Sequence, residues 1–215
     1  MPTPWLKVCG LRRPEDLLRA QAAGARYLGL IVEIPRSPRC VTLPEATALA
    51  ALAPGQIVAV VADLPEERLA ALVAALHPAA LQLHGAETPA EVACLRVCFP
   101  GLELWKGVGL PVEAKQARAY AEAGATALLV DTRTAAGLGG SGVACDWAAA
   151  AALVAAGPLP VILAGGLNPE NLEEAARQVC PAGLDVSSGV EQAPGVKSEE
   201  RLTALGEAWG RLVSL

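Results

Sequence analysis

A chain of 215 residues with 17 basic and 22 acidic side chains carries a net charge of −5, and only 3% of it is aromatic. It offers neither a basic groove nor stacking platforms for nucleic acid. No apolar run approaches the roughly 18 residues of a membrane span, and the start MPTPWLKVCG lacks the successive regions of an export signal, so a cytoplasmic protein with no nucleic-acid or membrane partner is expected.

Cys9, Cys40, Cys94, Cys98, Cys145 and Cys180 form no C-x-x-C pair and, with two histidines, no zinc-ligand spacing. They are expected to be thiols in a reducing compartment. Short β-type runs alternate with alanine- and leucine-rich helical stretches, a pair about every 25 residues, as βα units around a parallel sheet do.

In chain order, the first strand is WLKVC, 5–9, with a helix over 14–23. Side chains alternate along a strand, so Lys7 and Cys9 point the same way. A thiol near an ammonium is a candidate base, because a positive neighbour lowers a thiol pKa; a small buried filler is the other reading of Cys9. The second strand, 27–32, leads into RSPR, where Arg39 either grips a carboxylate bidentately or lies in solvent. A helix over 43–53 and a strand over 56–61 follow, with Asp63 at the strand end as a ligand-orienting or charge-pairing residue. The helix over 65–76 precedes His77, a loop residue before Pro78.

The fourth strand, 80–84, ends at His84, which either meets a ligand or hydrogen-bonds the rim. Thr88-Pro89 starts the helix over 87–98, where Cys94 and Cys98 are expected to pack in apolar surroundings. After a strand over 102–108 and a helix over 111–123, the sixth strand, 126–130, stops at Asp131. Gly137, Gly139 and Gly142 then make a literal G-x-G-x-x-G, but six residues too late for the strand-to-helix turn of a dinucleotide site. No Lys-Ser/Thr follows for a Walker loop. An acid with a loop that covers it is the better reading.

A helix over 146–156, opened by Asp146, leads to a strand over 159–164 and then Gly165-Gly166. Asn168-Pro169 starts a helix over 168–179. The eighth strand, 183–188, carries Asp185 and ends in Ser188-Gly189, and Ser198 opens the last helix, 198–213. Eight βα units predict one compact (β/α)8 TIM barrel over 1–215, with function at the loops that follow the strands. Bare amides after strands seven and eight are where such barrels bind phosphate, here without a lysine unless Lys197 or a nearby arginine helps.

The segments KVCGLRRPED, SPR, LQLHGAE, LLVDT, GGSG before DW, AGGLNPEN and DVSSGVEQAPGVK stand in order across almost the whole chain. Together they resemble the phosphoribosylanthranilate isomerases of tryptophan biosynthesis. The resemblance implies an Amadori rearrangement of N-(5-phosphoribosyl)anthranilate to 1-(2-carboxyphenylamino)-1-deoxyribulose 5-phosphate, with Cys9 as general base and Asp131 as general acid. It also implies substrate contacts at Arg39, His84, Gly142 and Asp185, and phosphate contacts at Gly165, Gly166, Ser188 and Gly189. No metal or organic cofactor is implied, the partner is the phosphorylated small molecule, and a monomer or homodimer is expected. The family's phenylalanines of strands two and three are absent from GLIVEIP and VAVVADL, which leaves less aromatic surface for the anthranilate ring. Among other phosphosugar barrels, the related histidine-pathway isomerase would carry aspartate in place of Cys9, and a thiamine-phosphate synthase would need a magnesium site. A non-catalytic phosphate sensor would not need Cys9 and Asp131 together.

Overall fold

The computed structural model describes residues 3–131 and 146–214. Eight parallel strands form its barrel: β1 (Trp5–Cys9), β2 (Tyr27–Val32), β4 (Ile57–Val61), β5 (Ala80–Leu83), β6 (Glu103–Gly109), β7 (Ala127–Asp131), β8 (Val161–Leu163) and β9 (Gly183–Val186). Each neighbours the next, and β1 pairs with both β2 and β9, which closes the ring. Eight helices lie between them: α1 (Pro14–Ala22), α2 (Leu43–Ala50), α3 (Glu66–Leu76), α4 (Pro89–Cys98), α5 (Ala114–Glu122), α6 (Trp147–Ala156), α7 (Leu172–Val179) and α8 (Glu199–Val213). The eight βα units expected from the sequence are therefore the eight of the barrel. Among the described residues no helix is long and apolar enough to cross a membrane.

The strands read as continuous apolar runs because a parallel sheet wrapped by helices is buried on both faces. Leu6, Val8, Leu28 and Leu30 turn outward into the layer shared with the helices, whereas Cys9, Val58, Val60, Trp105, Leu129 and Ile162 fill the lumen. The lumen floor is aromatic: Trp5 stacks on Trp105 at 5.1 Å, and Tyr27 meets both rings edge-on at 4.8 and 5.0 Å. Gly183 makes room for this, since a Cβ there would sit 2.6 Å from the Trp5 ring. With one end plugged by tryptophan, the other end, where the strands finish, is the face available to a ligand.

Helix starts follow the local chemistry where a hydroxyl or carboxylate was in place. Thr42 and Thr88 each form a capping box, with Glu45 and Glu91, and Asp146 and Ser198 accept from the amides of Ala149 and Arg201. Asn168 does not cap α7. Its side chain accepts from the amides of Glu170 and Asn171, so the Asn-Pro segment is a turn and the helix begins at Leu172. Cys94 and Cys98 are exposed on α4 rather than packed, with the Cys98 thiol donating to Glu66 at 3.1 Å. His77 takes the left-handed conformation at the end of α3.

Three short strands lie outside the predicted pattern. β3 (Cys40–Val41) pairs with β2 beyond the RSPR loop, and β10 (Glu191–Ala193) forms a hairpin with β11 (Val196–Lys197). β9 itself stops at Val186, and Ser188–Val190 is a turn of 3-10 helix.

Candidate active site

Cys9 ends β1 facing the lumen, 6% exposed, directly beside Gly29 on β2. A Cβ at Gly29 would lie 2.8 Å from the Cys9 sulfur, so the thiol occupies space that only glycine leaves. Beneath it, fully buried Lys7 donates to Asp185 Oδ2 at 2.7 Å. Burial pulls the Lys7 ammonium down, but the charge of Asp185 together with Cys9 more than restores it, so it is held above its usual range. The expectation of a lowered Cys9 pKa is corrected here. Burial pushes the thiol up, and Lys7 offsets this only partly because its charge is already matched by Asp185.

Asp131 is the last residue of β7, beside Gly109 of β6, and its charge reaches Asp185 across the lumen. Asp185 holds Lys7 through Oδ2, and its second oxygen, Oδ1, is buried with no hydrogen-bond partner among the described residues. Such an acceptor at the mouth of a barrel suits a ligand hydroxyl, because an unsatisfied buried oxygen costs roughly 1–3 kcal/mol. His84 follows β5, with Nδ1 3.2 Å from Gln82 Nε2. Its ring rests on Gly107, where a Cβ would come within 2.6 Å of Nδ1. Asp63, beyond the end of β4, accepts from the Ala86 amide at 2.6 Å and thereby shapes the loop that carries His84.

Arg39 does form a bidentate carboxylate pair, but with the protein's own Glu191: Nε and Nη2 donate to its two oxygens at 2.8 and 2.7 Å. Lys197, raised as a possible phosphate ligand, is buried elsewhere. Its ammonium donates to the Cys9 carbonyl at 2.6 Å, to the Ser187 carbonyl at 3.0 Å and to Glu191 at 3.0 Å. The cation near the glycine loops is instead Arg201, which donates to the Gly189 carbonyl at 3.2 Å.

Gly165 and Gly166 have φ of +90° and +71°, conformations that favour glycine. Gly189 faces them from the other loop, and a Cβ there would fall 2.0 Å from the Leu167 carbonyl oxygen. The two loops are thus in contact through a glycine, and the amides of Gly165, Gly166 and Ser188 have no backbone acceptor among the described residues. An anion fits such a cradle. Gly142, with the rest of the Gly137 to Gly142 loop, lies outside the described residues.

Gly29 and Glu191 escaped the sequence reading, and Lys197 was read in another role. Gly29 sits mid-strand, where the alternating pattern hides a close approach; a glycine inside a β run was the available signal. Glu191 and Lys197 sit on the hairpin, and Pro194-Gly195, with Gly195 at φ +79°, was the turn signal that could have disclosed it.

A closed (β/α)8 barrel that gathers a buried thiol, carboxylates and two touching glycine loops at the carboxyl ends of its strands has the architecture of a small-molecule enzyme. The family model described as N-(5'phosphoribosyl)anthranilate (PRA) isomerase matches residues 6–208. The chain belongs to the phosphoribosylanthranilate isomerase family. It is 40% identical over 205 residues to the N-(5'-phosphoribosyl)anthranilate isomerase of Myxococcus xanthus, covering 94% of each chain. The crystal structure of the Thermus thermophilus isomerase superposes with a TM-score of 0.82 at 37% identity, covering 97% of this chain and 99% of that one. A phosphoribosyl anthranilate isomerase solved in complex with reduced 1-(o-carboxyphenylamino)-1-deoxyribulose 5-phosphate gives 0.79 at 26% identity, with 97% and 99% covered.

Proposed function

We propose that this isomerase converts N-(5-phosphoribosyl)anthranilate to 1-(2-carboxyphenylamino)-1-deoxyribulose 5-phosphate in tryptophan biosynthesis, with Asp131 as general acid and Cys9 as general base. The observation that carries the assignment of roles is the pairing of a buried thiol at the end of β1 with a carboxylate at the end of β7, both on the lumen of a family barrel.

Asp131 gives its proton to the furanose ring oxygen as the C1′–O bond breaks, and the anilino nitrogen lone pair forms the iminium. Cys9, as thiolate, removes the proton from C2′, and the C–H electrons flow into the C1′–C2′ bond to give the enolamine. The C2′ hydroxyl then loses its proton and C1′ gains one, leaving the ketone. Every step is a proton transfer with no net change in oxidation state of the substrate as a whole, so no cofactor is called for.

The substrate's other contacts follow from the donors and acceptors present. Asp185 Oδ1 accepts from a sugar hydroxyl, Arg39 meets the anthranilate carboxylate, and His84 lines the same rim. The amides around Gly165, Gly166, Ser188 and Gly189 receive the phosphate, with Arg201 beside them. We read the protein as one barrel domain, monomer or homodimer. A cytoplasmic location is supported by the free thiols of all five described cysteines.

The test follows the decay of anthranilate-type fluorescence on mixing with freshly generated substrate in metal-free buffer. Wild type should be fast, and Cys9→Ala and Asp131→Ala slower by about 10²- to 10⁴-fold or more. A wild type that leaves the substrate untouched refutes the assignment.

A further inference from the structure

Glu191 has no role in the chemistry above, yet Arg39 donates directly to its carboxylate and Lys197 joins that carboxylate to the Cys9 carbonyl. It is 5% exposed and accepts from Arg39 Nε and Nη2 with one oxygen each, while Oε1 also accepts from Lys197 Nζ. Lys197, fully buried, spends its other two donors on the carbonyls of Cys9 and Ser187, and its backbone is held by Asp16 at 3.2 Å. The stem of Arg39 lies against Gly10, the residue after Cys9, where a Cβ would come within 2.6 Å of the Arg39 Cδ. Burial alone would raise the Glu191 carboxyl, but Arg39 and Lys197 together hold it below its usual range, so it is ionised when the enzyme works.

We infer that Glu191 is a positioning residue that sets substrate specificity: it occupies one edge of the Arg39 guanidinium so that the remaining edge is presented to the substrate's aryl carboxylate. This rests on the reading that Arg39 holds that carboxylate. A guanidinium has five N–H donors in a planar fork. Glu191 takes the Nε proton and one from Nη2, which leaves the Nη1 and Nη2 end free to grip a second carboxylate. Through Lys197 the same residue fixes the carbonyl of Cys9, so ring anchor and base are held as one body.

The experiment is calorimetric titration of wild type and variants with two ligands: reduced 1-(o-carboxyphenylamino)-1-deoxyribulose 5-phosphate and its phenylamino counterpart lacking the ring carboxylate. Wild type should prefer the first. In Glu191→Gln the preference should fall about 10-fold or more, the scale of a misplaced binding group, with affinity for the carboxylate-free ligand unchanged. Glu191→Asp keeps the charge that Lys197 needs while shortening the reach to Arg39, so it should fold and show the same loss. In an Arg39→Ala background, Glu191→Gln should change the preference no further. Equal weakening toward both ligands, or an undiminished preference in a folded variant, overturns the inference alone. A wild type without any preference overturns the Arg39 reading and the inference with it.

Discussion

At the scale of single residues, Cys9, the proposed base, sits in an environment that departs from what its neighbours in sequence suggest. Lys7 is two residues from Cys9, but its charge is matched by Asp185 at 2.7 Å, and the buried thiol is pushed above its ordinary value near 9.0. The sign follows directly: a raised pKa means less thiolate at neutral pH, so a thiolate base gains activity as pH rises. We predict that kcat/KM, which reports the free enzyme, climbs on the alkaline side with a limb above the ordinary thiol range. Asp185→Asn should move that limb downward, because Lys7 then acts on Cys9 without its counter-charge. A limb that stays put in the variant would show that Lys7 does not govern the thiol. Gly29→Ala isolates placement from titration. Its Cβ would crowd the sulfur at 2.8 Å, so kcat should drop about 10²-fold, the effect of roughly 1 Å of misplacement, while circular dichroism reports an intact barrel.

At the scale of elements, the seam between β1 and β9 closes the ring, and Lys7 beside Asp185 is its polar rung. Removing one member of a buried ion pair leaves the other charge uncompensated, at about 3–5 kcal/mol. Lys7→Met should therefore lower the urea midpoint by a corresponding amount with the m-value unchanged. Since Lys7 is held above its unfolded value near 10.5, the stability it contributes is fully present below that pH and is lost as pH rises through the folded value. Wild type should accordingly lose stability in strong alkali more steeply than Lys7→Met does.

This seam also marks the boundary of what the sequence discloses. Eight apolar runs spaced by helices were enough to read the barrel, because burial on both faces writes itself into composition. Thr88-Pro89 and Asp146 were legible for the same local reason, as side chains that satisfy amides two or three positions away. The catalytic candidates Cys9 and Asp131 were legible as polar residues at the ends of apolar strands. What stayed hidden depends on contacts between distant segments. Arg39 and Glu191 lie 152 positions apart, and Lys197 and Cys9 188. No periodicity links them. The same holds for the Cys9 thiol, whose local lysine and possible burial were legible while the pairing of that lysine with a distant aspartate was not.

At the scale of the whole molecule, the two glycine loops proposed to take the phosphate meet through tertiary contact, at Gly189 against Leu167. On the proposed reading neither loop holds the phosphate alone, so ligand binding and the packing of β8 against β9 should be thermodynamically linked. A ligand that binds the folded state alone stabilises it by RT ln(1 + [L]/Kd), about 2.7 kcal/mol at a hundredfold excess over Kd. For a chain of this size each kcal/mol moves Tm by roughly 2–4 °C. The reduced product analogue should therefore raise Tm by about 5–10 °C at that excess, and its dephosphorylated form by much less at equal concentration. Gly189→Ala forces the loops apart because its Cβ cannot lie 2.0 Å from a carbonyl oxygen. In that variant the phosphorylated and dephosphorylated analogues should stabilise to the same small extent. If Gly189→Ala retained the full difference between them, the phosphate would have to be held somewhere other than the junction of these two loops.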